Sequence, residues 1–136
     1  MKILLLFLLL SNSALLASAE IVVIGNLDNE LTSLTKKQVQ EIFLGRTRNY
    51  SNGVRALPFN VPDLRIEFYE KLTNRPIEQI NAYWARLIFS GQASPPSDRP
   101  DQKSVINTVK NAKGVIAYIE RKQLDETQIK LLYVIE

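Results

Sequence analysis

The sequence contains neither cysteine nor histidine. Without cysteine there is no disulfide, no thiol nucleophile and no attachment point for a bacterial lipid anchor, so an exported form must be held together by its core alone. Without histidine the usual nucleophile-base pairs lose their base, and with cysteine also missing most zinc sites lose their ligands. No nucleophile sits beside an identifiable base, and neither an internal repeat nor a low-complexity tract interrupts the chain. The sequence is therefore read as non-enzymatic, with no catalytic residue, metal site or cofactor expected.

What is present begins with an export signal. Lys2, the apolar run Ile3 to Leu10 and the small residues Ala17-Ser18-Ala19 form the three parts of a secretory signal peptide. The run is short for a bilayer span, so cleavage after Ala19 is expected, giving a periplasmic protein without a membrane anchor. The expected organisation is a signal peptide at 1–19 and a single domain at 20–136. Loss of the signal takes the 17 basic residues to 16 against 14 acidic ones, a net charge of +2. That balance is too mild to argue for a nucleic-acid partner.

The apolar β-branched run Ile21 to Ile24, stopped by Gly25, has the form of a buried central strand. A short helix follows: Thr35 and Gln38 make a capping box, Val39, Ile42 and Phe43 an apolar stripe, and Gly45 a left-handed stop. After a turn at Ser51-Asn52-Gly53, Val54 to Phe59 reads as a second strand with Pro58 near its end or edge. Asp63 is expected to cap a second helix carrying Leu64, Phe68 and Leu72 inward, broken by Asn74 and Arg75. Pro76 suits the first position of a third, mostly buried helix with Ile77, Ile80, Tyr83 or Trp84, Leu87 and Ile88 at helical spacing. Gln92 to Pro100 reads as a loop. A fourth helix with Val105, Ile106 and Val109 inward is stopped by Gly114, and two strands, Val115 to Ile119 and Ile129 to Ile135, follow around a polar connection with room for a helical turn. This order gives an α/β fold, a mixed sheet flanked by helices.

Three segments carry a family resemblance. Leu34 to Gly53, with its helix ending Ile42-Phe43-Leu44-Gly45 ahead of an aromatic and a turn glycine, resembles the periplasmic phosphate-binding proteins of ABC transporters. Tyr83 to Gly91 belongs to the same resemblance, and Gly114-Val115-Ile116-Ala117-Tyr118 is similar to the family's Gly-Ala-Ile-Gly-Tyr segment, with Ala117 in place of its second glycine. The resemblance covers nearly all of Glu20 to Glu136. It implies one lobe of the type 2 periplasmic-binding fold, about half of what a two-lobed receptor needs.

A tetrahedral oxyanion is held by backbone N–H groups at helix N-termini, by hydroxyls and by arginine. In the family the helix after the second strand opens with a Ser-Gly-Thr-like cluster, where this chain has Val61-Pro62-Asp63-Leu64-Arg65. Pro62 brings no N–H and an ionised Asp63 only accepts, so donors are lost and repulsion is added. Asp63 reads more simply as a helix cap. Arg65 has the reach to grip an oxyanion, or to pair with Glu67 or Glu70. Asn60 stands where the family often has an anion-facing arginine. Asn26 offers loop donors or simply forms a turn, and Ser90 offers a hydroxyl or simply ends its helix. Asn26, Asn60, Asp63, Arg65 and Ser90 form the candidate ligand-binding set.

Outside that set, Tyr83, Trp84 and Phe89 read as core at helical spacing, and Glu67, Glu70 and Lys71 as a solvated face. Arg46, Arg48 and Arg55 make a modest basic cluster near Tyr50. Two functions remain open. One is a solute-binding protein of the phosphate-receptor type, holding phosphate or a related oxyanion weakly if at all and serving a membrane transporter. The other is a non-transport adaptor or sensor-input module that binds a protein partner. Convergent donors at Asn60 to Arg65 favour the first, and an exposed apolar patch favours the second.

Overall fold

The computed structural model describes residues 19–136. The expected signal peptide lies outside the described residues apart from Ala19. Among the described residues no helix is long and apolar enough to cross a membrane.

The first strand, β1 (Ile21–Gly25), is buried along its whole length, as its unbroken apolar run predicts. It lies between the last two strands, β4 (Val115–Glu120) and β5 (Lys130–Val134), and runs antiparallel to both. On the other side of β4 come β2 (Leu57–Asn60), parallel to it, and the two-residue β3 (Ser97–Asp98), parallel to β2. The sheet order is therefore β3-β2-β4-β1-β5, a mixed sheet as expected. β3 is an addition to the expected loop: Arg99 N–H donates to the Asn60 carbonyl and draws that stretch alongside β2.

Four helices complete the architecture: α1 (Lys36–Phe43), α2 (Pro62–Thr73), α3 (Ile77–Phe89) and α4 (Gln102–Asn111). The capping box on α1 is formed, with Gln38 N–H donating to Thr35 Oγ1 at 3.2 Å and Thr35 N–H to Gln38 Oε1 at 2.9 Å. Gly45 is left-handed at φ 70°, and a Cβ there would stand 3.0 Å from Trp84 Cη2. Asn74, also left-handed, closes α2 as its position before Arg75 suggested.

Several boundaries differ from expectation. The second strand starts at Leu57 and runs to Asn60, because Arg55 is taken into a bridge with Asn49 that closes the preceding turn. α2 is capped by Val61, with Pro62 at its first position and Asp63 inside its first turn, so Asp63 is no N-cap; the missing N–H of proline makes Pro62 the better first residue. Pro76 caps α3 and does not begin it. α4 ends at Asn111 with Ala112 extended, so Gly114 is not its left-handed stop. Glycine is needed at 114 for a different reason: the Arg55 carbonyl oxygen lies 2.1 Å from where a Cβ would be. The polar connection before β5 does contain a helical turn, Arg121–Gln123.

The largest departure is α3. It was expected to be mostly buried, yet only Ile80 and Trp84 are, while Ile88 and Phe89 face solvent. Ile77, Ile80, Trp84 and Leu87 of the expected stripe do pack on the core, but Ile88 does not, because helical spacing says nothing of what covers each side.

Candidate functional site

The end of β2 and the start of α2 meet over an aromatic cluster. Phe68 stacks on Tyr118, with ring centroids 3.8 Å apart and planes 11° from parallel, and Phe43 meets Phe68 edge-on at 4.8 Å. Such contacts add to the area that three large buried rings remove from water. The cluster carries two hydroxyls into the interior, and both are matched. Tyr69 Oη and Tyr118 Oη each donate to Asn60 Oδ1 at 3.0 Å, using both lone pairs of one amide oxygen. Tyr118 Oη in turn accepts from the Val61 N–H at 3.3 Å.

Burial pushes the Tyr69 and Tyr118 hydroxyls far above the ordinary tyrosine range, with Arg65 offsetting part of the rise. Both are neutral donors at any physiological pH. Asn60 is therefore a buried acceptor tying β2, α2 and β4 together, and this explains an asparagine where the resemblance suggests arginine.

The same network decides what the α2 N-terminus can offer. Of the first four backbone positions, the Val61 N–H is given to Tyr118 and Pro62 has none. The Leu64 N–H closes a tight turn onto the Val61 carbonyl at 3.0 Å. That leaves the Asp63 N–H, on a residue whose own exposed carboxylate repels an anion.

Arg65 leans its guanidinium over the Tyr69 ring, 5.5 Å from the centroid. It pairs with neither expected carboxylate: Glu67 takes Lys71 at 2.8 Å, and Glu70 accepts the Ile77 N–H at 2.8 Å. Arg65 instead lines an open groove of about 340 Å³ with Asn60, Asn81 and Asp98, walled by Trp84, Ala85, Ile88, Pro95 and Pro96. Among the described residues neither Arg65 nor Asp98 belongs to an ion pair.

The remaining candidates lie elsewhere. Asn26 is buried, with Nδ2 donating to the Val109 and Lys110 carbonyls at 2.8 and 3.2 Å and Oδ1 accepting from the Asp28 N–H at 2.8 Å. It fastens the exit of β1 to the last turn of α4, satisfying carbonyls that a helix end leaves open. Ser90 is exposed and ends α3, its hydroxyl donating to the Leu87 carbonyl at 3.2 Å. Asn60 and Arg65 thus share one groove, while Asn26 and Ser90 are given to helix ends.

The basic cluster is also divided. Arg46 pairs with Glu41 at 3.6 Å and lines a groove of about 510 Å³ with Arg75 and Arg86, whereas Arg48 and Arg55 line another of about 490 Å³ beside Phe59. Sequence reading missed Asp98 and Asn81 as neighbours of Arg65. No local signal marks them, because they reach the groove through β3 and the exposed flank of α3.

No protein-family model matches the chain, and no curated protein matches it. Solved structures do. A protein from Clostridium perfringens assigned as a phosphate ABC transporter substrate-binding protein, solved with phosphate bound, superposes with a TM-score of 0.64 at 16% identity, covering 84% of this chain and 44% of that one. An ABC-type phosphate transport receptor from Vibrio cholerae gives 0.65 at 13% identity, covering 84% and 45%. PstS from Borrelia burgdorferi gives 0.56 at 14% identity, covering 84% and 46%. The match spans less than half the length of these neighbours. The chain has the α/β fold of these phosphate-transport proteins, over a part of their length that amounts to a single lobe.

Proposed function

We propose that this chain is a periplasmic, non-enzymatic binding module of the solute-receptor type, which holds phosphate weakly if at all on its own and acts through contact with a protein. The observation that carries this reading is the commitment of the α2 N-terminus. Its donors are absent, given to Tyr118, or shadowed by Asp63, so the positive end of the helix dipole has little with which to grip an anion. In place of convergent donors the surface offers exposed apolar residues, Ile66, Ile88 and Phe89.

One observation favours the alternative reading as an oxyanion receptor. Arg65 is free of carboxylate partners among the described residues and faces an open groove, and the neighbours of this fold are phosphate-transport proteins. Asp98 in the same groove opposes an anion there.

Isothermal titration with phosphate at low salt, with sulfate for comparison, tests the choice. The expected result is no saturable heat up to millimolar phosphate. Saturable micromolar binding lost in Arg65→Ala would establish a receptor and overturn the proposal.

A further inference from the structure

We infer that the exposed flank of α3 is where a second copy of this chain docks, face to face about a two-fold axis. The inference rests on the reading of the chain as a module that acts through protein contact, and it names the partner.

The flank is unusual for a surface helix. Phe89 is 97% exposed and Ile88 55%, and Ala85 lies one turn before Phe89 on the same side. Ala85 and Ile88 wall the groove that Arg65 lines, and Ile66, the residue after Arg65 on α2, is 56% exposed. A side facing water is ordinarily polar, and leaving a phenylalanine almost wholly uncovered forfeits the stabilisation its burial gives.

The charges select the occupant. Arg65 and Asp98 line the groove that Ala85 and Ile88 wall, and neither is ion-paired among the described residues. An acidic partner or an anionic lipid surface would satisfy Arg65 and be repelled by Asp98; a basic partner would do the reverse. A second copy satisfies both at once, because an isologous contact that sets Arg65 against Asp98 of the other copy necessarily sets Asp98 against its Arg65. Phe89 and Ile88 of the two copies then cover one another, giving an apolar centre with a charged rim.

Sedimentation equilibrium of the purified protein across a range of concentrations, with charge-reversal variants, tests this. The expected result is a reversible monomer-dimer equilibrium that Phe89→Ser weakens at least about tenfold, the scale of a central apolar contact. Arg65→Asp and Asp98→Arg are each expected to be monomeric, since like charges then meet twice, and an equimolar mixture of the two is expected to form a mixed dimer. Near-UV circular dichroism of each variant checks that it is folded, and Phe89→Ser supplies the same answer without touching the groove. A wild-type protein monomeric throughout, or a mixture that stays monomeric while wild type pairs, would overturn the inference. Neither result bears on the phosphate titration, so self-pairing fails separately from the binding-module reading.

Discussion

The N-terminus of α2 and the exposed flank of α3 border the same groove and are built on opposite plans. At the first, the available hydrogen-bonding groups are turned inward: two buried hydroxyls share the oxygen of Asn60, and the Val61 N–H is taken by Tyr118. At the second, apolar side chains are turned outward, and an arginine and an aspartate that belong to no ion pair among the described residues line the groove beside them. The difference teaches that what a fold offers a partner is what its own core leaves over. Here the core takes up hydrogen-bonding groups at the start of α2 and leaves apolar side chains exposed on α3.

The contrast can be broken most forcefully from its inner side. Phe68→Ala removes the ring stacked on Tyr118 and edged by Phe43, and is expected to cost about 4 kcal/mol, read as a lowered urea midpoint. Alkali attacks the same place. The Tyr69 and Tyr118 hydroxyls are raised above their unfolded value by burial, so the stability they contribute is complete below about pH 10 and is lost as pH climbs toward the folded values. Their phenolate absorbance is expected to appear together with loss of the near-UV circular dichroism signal, not before it.

Asn60→Ala leaves the Tyr118 hydroxyl proton without its acceptor and the Tyr69 hydroxyl with only the Phe43 carbonyl at 3.4 Å, and is expected to cost about 2 kcal/mol in urea denaturation, with no change in the heat of phosphate titration. Thr35→Ala, far from both regions, removes half of the α1 capping box and is expected to cost about 1 kcal/mol. Phe89→Ser sharpens the contrast by doing least: measured in a monomeric background, it is expected to change folding stability by less than about 0.5 kcal/mol, since the side chain buries almost nothing within its own chain.

What could be read from the sequence divides along the same line. Thr35 with Gln38, Gly45 with its positive φ, and the buried run Ile21 to Ile24 were legible because each is a local pattern with a local cause. The mixed sheet followed from the order of the elements and the resemblance. Asn60 was not legible as a structural group, and Asn26 was legible as the turn former it is but not as a clamp on α4. Their partners lie 58 residues away at Tyr118 and 83 residues away at Val109, and nothing in a short window distinguishes a buried asparagine of this kind from a ligand donor. Gly114 misled for a similar reason, since the backbone crowding it relieves comes from Arg55. Phe89 read as core because helical spacing reports which residues share a side, not whether another element covers that side.

The place of β1 carries a consequence for how the chain reaches its native state. Its residues are bonded on one side to Val115–Glu120 and on the other to Lys130–Val134, and the link from Arg121 to Glu20 beside it closes a separation of 101 residues. The centre of the sheet is thus made of segments from the two ends of the described chain, and it cannot be completed until both are present. Such long-range closure slows folding, and meanwhile the run Ile-Val-Val-Ile has no partner edge. Aggregation through Ile21 to Ile24 is the hazard this topology creates, and a chain of this design gains most from being kept extended until Val134 is free to pair.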